Sequence, residues 1–371
     1  RMENALVYDR YQRQLSLKGF GLEAQQKLLH ARVLVVGAGG LGCPVLQYLA
    51  AAGIGQLGVV DPDRVSLSNL PRQVLFSDAD IGRQKVDVVR ERLQALNPAL
   101  QLETWPYACD AAFALDIFPH YDLVVDTCDN FPTRYLVNDG CWLTGRPLVH
   151  AAVSEYEGQV AVFNLPDKLG IPGLHYRHVF PSAPSPGEVR DCAEAGVLGM
   201  LPGIIGCMQS FEVVKVITGI GEPLRNRLLT YDTLRHRQLV VNILPASDAF
   251  PEMPTSAEDY LRFDYGHFCG LPQYAGIEVE ASVLHPDMRI IDVREPGAWP
   301  TIGLVHEYIP LSQLEGVLQL SPGEEVLFVC RTGRRSLQAA LLMKERFPLS
   351  RSYSLKGGVQ SLSSLKKTIL P

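Results

Sequence analysis

Between residues 31 and 127, short apolar runs at 33–36, 57–60, 101–105 and 122–126 alternate with segments of helical period. Such alternation predicts a doubly wound α/β sheet with helices on both faces. A helix over 22–29 precedes it. The stretches 146–154 and 158–163 read as two further strands, antiparallel to part of the sheet. Residues 197–220 are largely apolar and read as a helical hairpin. Residues 245–275 are rich in Pro, Ala, Ser and acids, the composition of a linker. From 276 a new α/β pattern begins, with apolar runs near 288–293 and 325–330 and a helix over 336–347. The expected organisation is a Rossmann-like mixed-sheet domain over 1–244, a linker over 245–275 and a smaller α/β domain over 276–371.

The first run passes directly into Gly37-Ala-Gly-Gly-Leu-Gly42, and the second ends at Asp61. Strand, glycine loop, helix, strand and acid make an adenine-nucleotide site. Gly37 permits a tight turn, Gly39 (with Gly40 beside it) lets backbone approach a phosphate, and Gly42 lets the helix pack close to its strand. The helix N-terminus adds free N–H groups and partial positive charge, and Asp61 is placed to accept from a ribose. This fingerprint does not separate NAD from ATP. The polar loop that follows carries Asp63, Ser68, Asn69 and Arg72, then Lys85. Each cation alone reads as a solvated surface charge, but together beside a nucleotide they suit a triphosphate. The fourth run ends in Asp126-Thr-Cys-Asp129-Asn130, which projects into the same crevice. Asp129 there is fit to hold Mg²⁺, or to cap the helix that begins near Pro132.

In the second domain, a buried strand ends at Cys330 and is followed by Arg331-Thr-Gly-Arg-Arg335, which opens a helix. Backbone N–H groups around Thr332 and Gly333, the helix dipole and the cations Arg331, Arg334 and Arg335 favour an anionic sulfur. A phosphatase loop shares this outline; the six-residue loop favours sulfur chemistry.

Composition narrows the classes. The chain has 371 residues, 47% hydrophobic and 20% charged, with a formal charge of −6 and a pI near 5.9. No basic stripe marks a nucleic-acid partner. No uninterrupted apolar run reaches the roughly 18 residues of a membrane span, and the N-terminus lacks a charged-then-apolar signal segment. Eight cysteines without disulfide-like spacing suit a reducing cytoplasm. Cys43, Cys109, Cys128, Cys141 and Cys207 lie in apolar or helical contexts and read as core, whereas Cys192 sits in a polar, proline-flanked loop near Arg190.

The stretches Tyr11-Gln-Arg-Gln14, Gly37 to Gly42, Ser68-Asn-Leu-Pro-Arg-Gln73, Gly82 to Lys85, Asp126-Thr-Cys-Asp-Asn-Phe-Pro-Thr-Arg134 and Cys192-Ala-Glu-Ala-Gly-Val-Leu-Gly199 span residues 8 to about 244. Their order resembles the ubiquitin-activating-like adenylyltransferases that serve small β-grasp sulfur carriers. The resemblance implies ATP and Mg²⁺ as cofactors and a carrier ending in Gly-Gly as partner. It implies a homodimer in which Arg13 reaches the partner's ATP, and a Cys192 that becomes linked to carrier or sulfur. Many relatives bind a structural zinc through two Cys-x-x-Cys pairs. Here the first position reads His175-Tyr-Arg-His178 and the second region has no cysteine. No zinc is expected, and packing alone is expected to hold that part of the fold. The second domain resembles the rhodanese sulfurtransferases, with Asp292-Val-Arg-Glu-Pro296 and Leu355-Lys-Gly-Gly358 in support. That implies a Cys330 persulfide fed by a cysteine desulfurase or by thiosulfate. It departs from the family at Thr301-Ile-Gly-Leu-Val-His306 and in lacking a Trp after the Gly-Gly pair. The expected function is adenylation of the carrier's C-terminal glycine followed by sulfur transfer. Two rivals are a nicotinamide-dependent oxidoreductase with a thiol domain and a non-catalytic carrier-binding scaffold.

Overall fold

The structure is a computed structural model that describes residues 2–184, 196–244, 250, 252–271, 276–285, 288–298 and 306–359. The chain divides into two compact units, residues 1–269 and 270–371. In the first unit the described elements run α1 (Met2–Leu15), α2 (Gly21–His30), β1 (Arg32–Val36), α3 (Gly42–Ala52), β2 (Gln56–Val60), α4 (Lys85–Leu96), β3 (Gln101–Trp105), α5 (Ala111–Ile117), β4 (Leu123–Asp126) and α6 (Phe131–Thr144). They continue with β5 (Leu148–Ser154), β6 (Glu157–Phe163), α7 (Tyr176–Val179), α8 (Met200–Thr218), β7 (Arg227–Asp232), β8 (Arg237–Asn242), α9 (Ala257–Arg262) and α10 (Tyr265–Phe268).

The strands form one sheet in the order β3-β2-β1-β4-β5-β6-β7-β8, parallel from β3 through β5 and antiparallel from β6 on. The 146–154 stretch was expected to run antiparallel. Instead β5 pairs parallel with β4, and the reversal comes at the tight β5–β6 hairpin. The burial of β1 explains the continuous apolar run. Val33 and Val35 enter one core with Leu46 and Leu49 of α3, Val86 and Val89 of α4, and Ile205 and Val213 of α8. Leu34 and Val36 enter a second core with Phe113, Tyr135, Val137 and Tyr260. A strand covered on both faces has no polar side to show, so its sequence does not alternate.

Two expectations fail in the same region. Residues 200–218 form one helix rather than a hairpin, because Pro202 lies in the first turn, where its missing N–H had no partner to lose. The helix stops at Gly219, whose φ is +78°. By length and composition alone α8 is apolar enough to cross a membrane. Nevertheless its Gln209 lies buried beside the sheet, donating through Nε2 to the Asp126 and Val149 carbonyls at 2.7 and 2.9 Å.

The expected linker is also largely part of the first unit. Ser256 caps α9, and Tyr260 is fully buried with its hydroxyl donating to the Leu136 carbonyl at 2.8 Å. Tyr265 donates to Asp139 Oδ2 at 2.8 Å. That carboxylate, fully buried, also receives a two-pronged contact from Arg177, at 2.9 Å to Oδ1 and 2.7 Å to Oδ2. The guanidinium stacks over Phe268, Tyr135 and Phe263 with centroids at 4.6, 5.0 and 5.8 Å. The His175-to-His178 segment is therefore held by a buried ion pair in an aromatic box, not by packing alone. Nearby, the His175 and His178 rings lie 4.0 Å apart and both meet Phe250 at 4.8 Å. Among the described residues no group of three or more His, Cys, Asp or Glu could hold a metal ion.

The second unit holds β9 (Glu278–Val279), β10 (Arg289–Asp292), β11 (Glu307–Tyr308), α11 (Leu314–Val317), β12 (Glu325–Val329), α12 (Arg334–Arg346) and β13 (Arg351–Leu355). Its sheet is parallel throughout, in the order β11-β10-β12-β13-β9.

Breaking a buried ion pair from one side strands a charge in low dielectric and costs about 3–5 kcal/mol. Arg177→Met is expected to lower the melting temperature of the protein by about 10 °C, measured by thermal unfolding. The double change Arg177→Met, Asp139→Leu removes both charges and is expected to regain more than half of that loss.

Candidate active site

The crevice lies where the chain changes direction. From β1 it proceeds through α3 to β2 on one side, and β4 sits on the other side of β1, leading into α6 on the opposite face. Loops leaving the ends of β1 and β4 therefore diverge, and the gap between them is the expected ligand position of such a sheet. Thr127 binds the two ends together: its Oγ1 donates to the carbonyls of Val36 and Gly37 at 2.8 and 2.7 Å. Gly37 has a φ of +101°, a conformation that favours glycine, and a Cβ there would also lie 3.0 Å from Thr127 Oγ1. A Cβ on Gly42 would stand 2.4 Å from the Gly37 carbonyl oxygen, so the helix packs against its own loop only as glycine.

Gly37, Gly39, Gly40, Asp61, Asp63, Arg72, Lys85, Asp129 and Asn130 all line this cleft. Asp61 is buried and accepts from the Ala38 N–H at 2.7 Å and the Asp63 N–H at 2.8 Å. It thus fixes the glycine loop, while each oxygen keeps a further lone pair for a ligand. Burial pushes the Asp61 carboxyl up, against the opposing pull of Lys85 and the two N–H groups. Lys85 is buried at the start of α4 and pairs with Asp63 at 2.8 Å, both of them lining the cleft. Arg72 Nη1 donates to the Ser68 carbonyl at 2.9 Å.

The capping question at β4–α6 resolves in favour of Asn130. Its side chain accepts from the Thr133 N–H at 2.9 Å, and Pro132 follows in the first turn. Asp129 is left exposed at the cleft, and among the described residues no side chain hydrogen-bonds or ion-pairs with it. An uncommitted carboxylate at this point fits a hard divalent cation, which prefers oxygen ligands and keeps several waters.

Other expected residues stand elsewhere. Asn69 Oδ1 accepts from the Ser66 N–H in a capping box, Ser68 Oγ meets Ser66 Oγ, and neither residue lines the cleft. Arg13 is exposed on α1, away from the cleft lining. Cys192 and Arg190 lie outside the described residues. Cys109 and Cys128, read as core, both line the cleft. Burial raises the thiols of both.

Several cleft residues were not singled out from the sequence. Gln73 is buried there, and its Oε1 has no partner among the described residues. Arg134 lines the cleft from α6, donating to the Cys128 carbonyl at 3.3 Å. Behind it, Asp126 is fully buried: Oδ1 accepts from the Cys128 N–H at 3.0 Å and from its thiol at 2.7 Å, and Oδ2 meets His150 Nδ1 at 2.9 Å. Burial acts to raise the Asp126 carboxyl, but His150, Arg134 and Cys128 outweigh it and hold it below the ordinary range. Burial likewise lowers His150, against the pull of Asp126. An ionised Asp126 can only accept, so the His150 nitrogen that faces it, Nδ1, carries a proton.

In the second unit Cys330 directly follows β12, almost fully buried. The Gly333 N–H donates to Sγ at 3.2 Å, and Ser336 Oγ lies 3.5 Å from it. Gly333 caps α12 with a φ of +95°, so the helix N-terminus opens at the sulfur. Arg331, Thr332, Arg334 and Arg335 are exposed around the loop. Arg294 is clamped on buried Asp292 at 2.6 Å, which holds its guanidinium charged. Of the degraded stretch 301–306, only His306 lies within the described residues.

Comparison with known proteins bears on both units. The sulfur carrier protein adenylyltransferase of Thermus thermophilus is 51% identical over 265 residues, 71% of this chain and 97% of that protein. The probable adenylyltransferase/sulfurtransferase MoeZ of Mycobacterium tuberculosis is 38% identical over 370 residues, 94% of this chain and 91% of MoeZ. Among solved structures, E. coli MccB with ATP matches in fold, with a TM-score of 0.56 at 24% identity over 64% of this chain and 73% of that one. The model of the ThiF family matches residues 11–254, about two thirds of the sequence, and the chain belongs to that family.

Proposed function

We propose that the protein adenylates the C-terminal glycine of a small β-grasp carrier with ATP and then transfers sulfur to it. The observation that carries the reading is the uncommitted Asp129 carboxylate facing Lys85, Arg72 and the glycine loop across one cleft. Arg72, Lys85 and, from a second copy in a homodimer, Arg13 offset triphosphate charge, and Asp61 orients the ribose. Asp129 would hold Mg²⁺, which when bound would supply positive charge to the phosphates. The carrier carboxylate attacks the α-phosphorus; pyrophosphate leaves, and the acyl-adenylate replaces a poor acyl donor with a good one. Names of relatives support the two activities, since one is called a sulfur carrier protein adenylyltransferase and MoeZ an adenylyltransferase/sulfurtransferase.

The second unit is read as a rhodanese-like sulfurtransferase. A persulfide on Cys330, loaded by a cysteine desulfurase or thiosulfate, attacks the acyl carbon and expels AMP. A Cys192 thiolate then attacks the Cys330 sulfur, releasing the carrier thiocarboxylate and leaving a disulfide for an external thiol to reduce. Joining both units in one chain raises the effective concentration of the persulfide. The free cysteines among the described residues suit a reducing cytoplasm.

Asp129→Ala is expected to lower carrier-dependent ATP–pyrophosphate exchange by about 100-fold or more, with the fold intact by circular dichroism; exchange at the wild-type rate would sink the reading. Cys330→Ala is expected to separate the two steps. Pyrophosphate exchange should persist near the wild-type rate, whereas sulfur transfer to the carrier, followed by mass spectrometry, should be lost.

A further inference from the structure

His150 lies on β5, fully buried, between the Phe163 ring at 5.7 Å and the Tyr176 ring at 5.1 Å. A purely apolar side chain would suit those neighbours. Instead the site holds an imidazole whose Nε2 has no hydrogen-bond partner among the described residues, a group that burial penalises and that calls for an explanation. The other nitrogen supplies it, since Nδ1 donates to Asp126 Oδ2 at 2.9 Å. Asp126 in turn holds the turn that follows β4, through the Cys128 N–H and thiol on Oδ1. Arg134 approaches the same carboxylate at 3.8 Å and donates to the Cys128 carbonyl, so it grips the turn from the other side. The next residue along is Asp129, with Asn130 closing the turn as the helix cap.

Taking the adenylation reading as its basis, we propose that His150 is a positioning residue: its Nδ1–H fixes the Asp126 carboxylate, which fixes the 127–130 turn and thereby sets Asp129 over the nucleotide cleft. His150 itself touches no substrate. Groups bonded directly behind a metal ligand typically change metal affinity or activity by about 10- to 100-fold when removed, and His150 acts one link further back, so the lower end of that range applies. The effect therefore belongs to the contribution of Mg²⁺ to nucleotide binding rather than to binding of the bare nucleotide.

The experiment measures affinity for a non-hydrolysable ATP analogue by calorimetry, with Mg²⁺ and with EDTA, alongside carrier-dependent pyrophosphate exchange. His150→Phe keeps an aromatic ring but no donor; His150→Asn keeps an N–H near the Nδ1 position; His150→Gln moves the amide outward, toward the Nε2 position. The Mg²⁺-dependent gain in affinity is expected to shrink by about tenfold in the Phe and Gln variants and to be retained in Asn, while affinity in EDTA stays the same in all. If the Phe variant does not fold, the contrast between Asn and Gln carries the test. A Mg²⁺ gain equal to wild type in Phe or Gln would overturn the proposal, as would an Asn variant as impaired as Phe. Failure of the adenylation reading itself would look different, with wild-type protein showing no Mg²⁺-dependent gain and no exchange with any carrier.

Discussion

The contact between Thr127 and the carbonyls of Val36 and Gly37 is the constraint on which the first unit's chemistry depends. Two parallel neighbours, β1 and β4, send their chains to opposite faces of the sheet, and without a tie the loops beyond them would be free to splay. With the tie, a glycine loop that can meet a phosphate stands opposite a turn that carries a free carboxylate. Asp61 secures the first through the Ala38 N–H, and Asp126 secures the second through Cys128. Both carboxylates are buried, and both serve as struts for backbone before they serve as charges.

The same economy of placement separates groups that hold structure from groups left available. Asn130 takes the helix cap, and that releases Asp129 to the cleft. Lys85 is buried but keeps its ammonium on Asp63, whose carboxylate is largely exposed. In the second unit the sulfur of Cys330 is covered, yet it faces the open N-terminus of α12, with exposed arginines in the loop. Each unit thus places its candidate site at the C-terminal end of a parallel strand, where unpaired N–H groups gather.

Much of this was legible in the residues. The buried runs of β1, β2 and β4 and the glycine spacing mark the crevice because local sequence and local conformation are the same fact there. What escaped notice depends on partners distant in sequence. Arg177 and Asp139 lie 38 positions apart and each looks like a surface charge; only the fold brings Tyr265 and three aromatic rings around them. The 256–269 segment reads as linker by composition, although Tyr260, Phe263, Tyr265 and Phe268 are the residues that pack it down. Asp129 and Asn130 are both good caps, so only backbone geometry decides between them. Asn69 was drawn to the cleft by its neighbours, but its side chain is used in its own turn.

The central claim is that one chain activates a carboxylate and then places sulfur on it. The most direct test is the intact mass of Gly-Gly-ending β-grasp proteins from the same genome after incubation with this protein, ATP, Mg²⁺ and a sulfur donor. The account predicts that one such carrier exchanges a single C-terminal oxygen for sulfur, and does so only when ATP is present. ATP turned over with every carrier's mass unchanged, or sulfur acquired without ATP, would contradict it.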